Sequence, residues 1–506
     1  MIMIKEIVSA KSTELQSHVD QLTNLVGEAV EERTALHQVE EKTLRIVLEM
    51  VRTTLQLLFD VLGPGDVGET AQLPDGRVVK RLEETHSREY TSVFGEFELD
   101  RYVYGCGEGR KIEMIPLDAR LALPESKFSY LLQDWDQSLT MEEPFEKVSS
   151  VVQKILGLNQ HVDSLERMNR HMSESVESFH RQQTAPPLEE EGPILVQTAD
   201  GKGVPIRRPA DAPPIETHKS KSGPKPGAKR MATIGSVYSI EPHVRLPEEI
   251  VQSLFRQPSE PRANSNRPRP QHKRVRASLD HKNSCEDEIH GGAAVFGWIS
   301  DEVAARNPNG DKPVILIMDG QESLWNLRDV FQEDVPMIDI LDLLHVTPRL
   351  WEAAHLFHSP GSRLAEQFVR QRVLRVLKGE ISSVIVGLRR LATTHKLKGK
   401  KLERTQKITN YFANNQDRMR YHEYLAAGYP IASGVIEGAC RHVVKDRLER
   451  TGMTWTIPGA QAMLSLRCIH LSKLWDEFTN FRVQNETERR YPYRSTLVEM
   501  QWTLAT

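Results

Sequence analysis

Three acidic residues stand where carboxylates can hold divalent metal. Asp200 follows the apolar run Ile194-Leu195-Val196-Gln197-Thr198-Ala199, and Asp319 follows Val314-Ile315-Leu316-Ile317-Met318. Glu437 lies within Ser433-Gly434-Val435-Ile436-Glu437-Gly438-Ala439-Cys440-Arg441. The first two runs read as buried strands that each end at the aspartate, and the third as the start of a helix. A carboxylate where a buried strand meets solvent is partly desolvated yet reachable, which suits hard oxygen ligands to Mg²⁺ or Mn²⁺. Gly201-Lys202-Gly203-Val204-Pro205 comes after Asp200, and Gly320 after Asp319. Glycine there lets backbone approach a ligand beside either carboxylate; the plain alternative for each Asp-Gly pair is a turn after a strand.

Cations surround the third acid. The helix of Glu437 also carries Arg441, Lys445, Arg447 and Arg450, and Gly452 ends it. Arg441 and Lys445 fall four and eight positions after Glu437 and share its face, where they either grip phosphates or pair with Asp446 and Glu449 as ordinary surface charges. Trp455, just beyond, either stacks on an unpaired base or belongs to the core. A cationic loop between the first two strands brings Lys219, Lys221, Lys225, Lys229 and Arg230; a second run holds Arg262, Arg267, Arg269, Lys273, Arg274 and Arg276. Such runs are commonly just solvated, but beside a site for phosphodiester chemistry they would hold a DNA backbone without reading its sequence.

The elements that must position these residues follow from periodicity. Residues 1–62 carry apolar positions at helical spacing, and Gly63-Pro64-Gly65 stops them. Such a segment either packs internally or forms a dimer interface. Over 67–105 the period changes to two, and Glu96-Phe97-Glu98-Leu99-Asp100-Arg101-Tyr102-Val103-Tyr104 reads as part of a β-hairpin module spanning 63–123. Residues 124–185 are helical. Within them, 143–156 and 160–173 flank Gly157-Leu158-Asn159 with His161, Arg167, Arg170 and His171 outward, the outline of a helix-turn-helix and equally of a helix pair that binds nothing. Strands are expected at 193–199, 230–240, 313–318 and 337–344, which makes 193–346 an α/β layer; the proline-rich 257–285 reads as loop. A helical block, 347–426, separates this layer from the last segment, 427–506, with Glu437.

With 506 residues the chain is long enough for two to four domains, and its net charge of −4 gives no global field that would draw nucleic acid, so local patches must do so. Cys106, Cys285, Cys440 and Cys468 form no CxxC pair, against a disulfide framework or a structural zinc site. No run of about 18 apolar residues occurs and the N-terminal apolar stretch is too short for a signal peptide, so a cytoplasmic protein with no membrane partner is expected.

The strings TADGKGVP, IMDGQESLW, DLLHVTPRLWEAAH and SGVIEGACRHVVKDRLERTGMTW, with FGEFELDRYVY, PLDARLALPESKFSYLLQ and KPGAKRMATIGSVYSI in the same order, resemble the DDE transposases of bacterial insertion sequences, the ISKra group in particular. The resemblance spans most of the chain. It implies an α/β, RNase H-like mixed sheet with an inserted all-helical block, preceded by a helical and β-hairpin DNA-binding region. It makes Asp200, Asp319 and Glu437 the catalytic, metal-binding triad for Mg²⁺ or Mn²⁺, with Asp200 shared between two ions and the other two acids holding one each. Similar transposases carry a (C/D)xxH motif, matched by Asp342-Leu343-Leu344-His345; His345 then orients a phosphate or a carboxylate, where read alone it is a structural histidine. The implied partners are DNA, as element terminal repeats and target, and further copies of the chain, since two ends must be synapsed; the implied location is cytoplasmic and nucleoid-associated. Relatives have paired cysteines after the hairpin, whereas Cys106 stands alone, so zinc is not expected there. Two readings compete: a catalytically silent DNA-binding protein descended from a transposase, and a nuclease of the same fold that cuts without joining.

Overall fold

A computed structural model describes residues 2–107, 111–207, 229–256, 267–283, 285–332, 335–450 and 452–498. Two compact units result: Met1–Ser175 with Asp476–Thr506, and Val176–Trp475.

In the first unit, helices α1 (Ile2–Glu31) and α2 (Leu36–Leu62) pack on each other, and α2 ends at Gly63, whose φ of 62° only glycine adopts readily. Short strands follow: β1 (Thr70–Gln72), β2 (Val78–Arg81), β3 (His86–Ser92), β4 (Gly95–Arg101), β5 (Tyr104–Gly105) and β6 (Ile112–Met114). The expected hairpin is β3 paired antiparallel with β4, while β1, β2, β5 and β6 form a separate sheet. Arg88 and Arg101 from this hairpin both reach the fully buried Asp118 at 2.7 Å on α3 (Pro116–Leu121), so the buried carboxylate is compensated from two sides. Helices α4 (Tyr130–Glu142), α5 (Phe145–Leu156) and α6 (Val162–Ser173) complete the unit, with Gly157 at φ 76° between the last two. Leu165, Met168 and Met172 face inward from α6, leaving His161, Arg167 and Arg170 exposed and His171 half-buried.

The second unit begins with α7 (Val176–Gln182) and is built on a five-stranded mixed sheet. Its elements are β7 (Ile194–Pro205), β8 (Lys229–Ile240), α8 (Pro247–Leu254), β9 (Gln271–Leu279), a small hairpin of β10 (His281–Lys282) and β11 (Glu288–Ile289), α9 (Gly291–Arg306), β12 (Val314–Met318), α10 (Glu322–Gln332) and β13 (Met337–Leu341). The sheet order is β13-β12-β7-β8-β9, parallel through the first three and antiparallel beyond. A run of helices comes next: α11 (Leu343–Phe357), α12 (Arg363–Leu377), α13 (Ile381–Thr394), α14 (Lys400–Asn414) and α15 (Tyr421–Ala426). After it come α16 (Gly434–Cys440), a π-helical segment Arg441–Lys445, α17 (Asp446–Leu448) and α18 (Ile457–Leu471). The last helix, α19 (Trp475–Arg490), returns the chain to the first unit, where the Tyr491 hydroxyl donates to the Leu123 carbonyl at 2.6 Å and Tyr493 accepts from the Ile115 amide at 2.9 Å.

Side chains alternate across the strands and give the sheet two apolar faces. Ile194, Val196, Ile315, Ile317 and Ile340 pack with α11–α15. Leu195, Ala199, Val237, Val314, Leu316 and Met318 pack with α9 and α10. No helix among the described residues is long and apolar enough to cross a membrane.

Three expectations change. Strand β7 does not end at Asp200 but runs to Pro205, because every residue from Ile194 to Pro205 is paired with β8; the Asp200-Gly201 turn is thereby excluded too. Residues 271–279, read as loop, form the edge strand β9, and its arginines are neutralised in place: Arg274 is held by Glu302 at 2.8 Å and by the Thr184 carbonyl at 2.6 Å, and Arg276 pairs with Glu177. The strand expected to reach residue 344 stops at Leu341, since Asp342 caps α11 by accepting from the Leu344 amide at 2.8 Å.

Candidate functional site

The register of the parallel strands places three aspartates side by side. Met318 pairs with Ala199 on one side and with Leu341 on the other, so the residues that follow, Asp319, Asp200 and Asp342, stand in a row across β12, β7 and β13. All three share the parity of the core positions Val196, Ile317 and Ile340 on their own strands, so they leave the sheet on the α11 and α16 face. Neighbouring strands lie about 4.8 Å apart, which crowds the three charges. The carboxyl ends of parallel strands are where open α/β sheets place their sites.

Asp200 is half-buried. Its Oδ1 accepts from the Gly201 amide at 2.7 Å and its Oδ2 from the Cys440 thiol on α16 at 3.5 Å. Burial, and then the nearby charge of Asp319, raise its pKa above the ordinary carboxylate range. Asp319 keeps one oxygen on the Gln321 amide at 2.9 Å, and its carbonyl accepts from the Trp325 indole at 2.7 Å. Glu437 is exposed on the first turn of α16, which Ser433 caps through its hydroxyl. Its charge reaches both Cys440, a turn along the same helix, and Asp342. None of Asp200, Asp319, Asp342 or Glu437 forms an ion pair among the described residues, so no paired cation offsets their mutual repulsion, and the charge of His345 acts on Asp200 and Asp342 at longer range. Hard oxygen donors left in that condition fit Mg²⁺ or Mn²⁺.

Among the described residues, a set of three potential ligand atoms lying within 4.8 Å of one another occurs elsewhere, at Glu125, His171 and Glu486 in the first unit. There arginines already supply the positive charge: Arg489 and Arg490 lie 3.2 and 3.3 Å from Glu125, and Arg482 lies 3.6 Å from Glu486. Asp200, Asp319 and Glu437 do not form so tight a set, and they are not required to if Asp200 is shared and the other two serve different ions.

His345 lies in the first turn of α11, half-buried, and its charge influences both Asp200 and Asp342. Lys219, Lys221, Lys225 and Arg262 fall outside the described residues. Lys229 pairs with Glu449, whereas Arg230 is exposed on β8. Arg441 is exposed and lies 3.4 Å from Asp446, which also binds His442 at 2.9 Å; Lys445 is exposed. Trp455 is half-buried and anchored: its indole donates to the Leu448 carbonyl at 3.1 Å, its backbone bonds Pro205 and Arg207, and the Arg447 guanidinium lies 5.0 Å from its ring centre. One ring face is therefore covered.

Three neighbours escaped the sequence reading. Lys202 shares the face of Asp200 one pleat further along β7, is half-buried, and its charge reaches Cys440. Cys440 itself, raised in pKa by burial and then by Asp200, gave no signal beyond its position one turn after Glu437. Tyr411, on α14, fills the space beside Gly320, so that glycine makes room for a ring of the helical block instead of for a ligand.

No family model and no curated protein matches the chain. Among solved structures, the Drosophila P element transposase strand transfer complex is similar at 10% identity, over 75% of this chain and 84% of that one, with a TM-score of 0.24.

Proposed function

We propose that the chain is a DDE transposase of the RNase H-like class, cutting and joining DNA at a site formed by Asp200, Asp319 and Glu437. The observation that carries this reading is the in-register placement of Asp319 and Asp200 on adjoining parallel strands, with α16, the helix of Glu437, packed on β7 beside Asp200. The quoted sequence strings support it independently.

Mg²⁺ or Mn²⁺ bound by these carboxylates would neutralise charge on the attacking and leaving oxygens of an in-line phosphodiester displacement. The protein's own part is placement. Strand pairing fixes Asp200 and Asp319, and the capped helix presents Glu437 outward to an incoming backbone. Lys202 stands beside Asp200 with no ion pair among the described residues and is suited to a phosphate oxygen. Arg230 and Lys445 add exposed positive charge in the same unit. A first displacement by water frees a 3′-hydroxyl, and a second, at the same site, uses that hydroxyl on target DNA.

The test is incubation of purified protein with DNA carrying its own flanking ends and Mg²⁺ or Mn²⁺, beside Asp200→Asn. Metal-dependent cleavage and joined products, both lost in the variant, are expected. Cleavage without joining would replace the reading with a nuclease, and binding without cleavage, equal in both proteins, with a silent DNA-binding protein.

A further inference from the structure

We propose that Asp342 is a positioning residue that holds the helix bearing Glu437, and not a further metal ligand; this rests on reading Asp200, Asp319 and Glu437 as the metal-binding set. Asp342 is only 1% exposed, and both its oxygens are spent on backbone amides. Oδ1 accepts from Leu344 at 2.8 Å and Oδ2 from Ser433 at 3.1 Å. Asp200 also has both oxygens hydrogen-bonded, but it is half-buried and reachable, whereas Asp342 is closed off from solvent and so from a hydrated ion.

The bond to Ser433 is the connection that matters. Ser433 is fully buried; its hydroxyl accepts from the Ile436 amide at 3.4 Å, capping α16, and shares a 2.8 Å hydrogen bond with the Thr198 hydroxyl on β7. Thr198 is two residues before Asp200, and Ser433 four before Glu437. The Asp342 amide in turn donates to the carbonyl of Met318, the residue before Asp319, at 2.9 Å. The Leu343 amide adds a bond to the Ile431 carbonyl at 3.0 Å. The Ser433 hydroxyl thus ties the strand of Asp200 to the helix of Glu437, the Asp342 carboxylate ties the start of α11 to it, and the Asp342 backbone amide joins that point to the strand of Asp319; Glu437 otherwise sits exposed on a helix of only 7 residues. Buried hydrogen-bonded groups of this kind commonly set the orientation of ligands they do not replace.

The experiment compares the full chain with Asp342→Asn, which keeps the shape but cannot accept both amides, and with Ser433→Ala and Asp319→Asn. Hydrogen exchange of the segment 431–441 is read together with Mn²⁺ affinity and stoichiometry and DNA affinity. Asp342→Asn is expected to speed exchange in that segment, to weaken Mn²⁺ by about 10- to 100-fold at unchanged stoichiometry, and to leave DNA affinity alone; Ser433→Ala is expected to do the same to a smaller degree. Unchanged exchange in 431–441 would overturn the proposal, as would loss of a bound ion to match Asp319→Asn. Should the unmodified protein bind no Mn²⁺, the metal reading fails, while the exchange result still decides whether Asp342 holds α16.

Discussion

Tyr411 occupies the space into which any side chain at position 320 would grow: a Cβ on Gly320 would stand within 2.8 Å of the tyrosine hydroxyl oxygen and overlap the ring. The helical block is thereby packed directly against the residue that follows Asp319. Gly320→Ala is expected to cost about 1–3 kcal/mol in urea unfolding, the usual range for overpacking a filled interior, and to cost less in a Tyr411→Leu background. Equal costs in both backgrounds would mean that the ring is not what excludes the methyl group.

Asp200 holds its proton to higher pH than an ordinary aspartate because it is buried and because Asp319 is charged beside it. A metal ion needs the ionised form, so Mn²⁺ affinity should fall as pH is lowered through the raised Asp200 pKa. Removing the Asp319 charge in Asp319→Asn should move that fall to lower pH, even as total affinity drops. Titration of Mn²⁺ binding at several pH values reads both effects; a pH profile identical in the two proteins would show that the carboxylates do not interact.

Lys202 and Trp455 should separate cleanly in DNA binding. Lys202→Ala is expected to weaken binding uniformly across sequences and to lower the slope of log affinity against log salt by about one. Trp455→Phe removes the donor to Leu448 and should lower stability by about 1 kcal/mol with the salt slope unchanged. Weakened DNA binding in the tryptophan variant at unchanged salt slope would mark the ring as a base contact.

In the first unit, Asp136 is fully buried on α4 with one donor, the Gln160 amide at 2.8 Å, and its pKa is pushed up to about 7 by burial. The folded protein therefore binds this proton more tightly than the unfolded chain. The contribution is full below the unfolded value of 3.8 and is lost as pH rises through about 7. Over that window the loss amounts to roughly 4 kcal/mol by linkage. Asp136→Asn, which stays neutral, should flatten the stability profile between pH 4 and about 7 and melt higher than the unmodified protein at pH 8.

What could be read from the chain was what local pattern records. The runs ending at Ala199 and Met318 are buried on both faces and so read as strands, and Gly63 is the left-handed stop of α2. The rest depended on partners far away. Asp200-Gly201-Lys202-Gly203 lacks strand composition and is extended because β8 pairs with it throughout. Arg274 and Arg276 look like a solvated charge run until Glu302 and Glu177 are seen against them. The Asp342–Ser433 bond spans 91 positions, a distance over which no periodicity or spacing carries information.

The helical block also sets an order in time. Asp200 and Asp319 are synthesised before it and Glu437 after it, and α18, which packs along β9 with Ser472 accepting from the Val275 amide at 2.9 Å, comes later still. At about 5–20 residues per second, roughly 6–24 s separate the emergence of Asp319 from that of Glu437. A chain stalled near residue 430 should accordingly bind no Mn²⁺ at this site, which chelation-controlled titration of the stalled product can check. On the proposed reading, a DNA-cutting site would stay incomplete until Glu437 has left the ribosome, its last ligand withheld by nothing more than the position of an insertion.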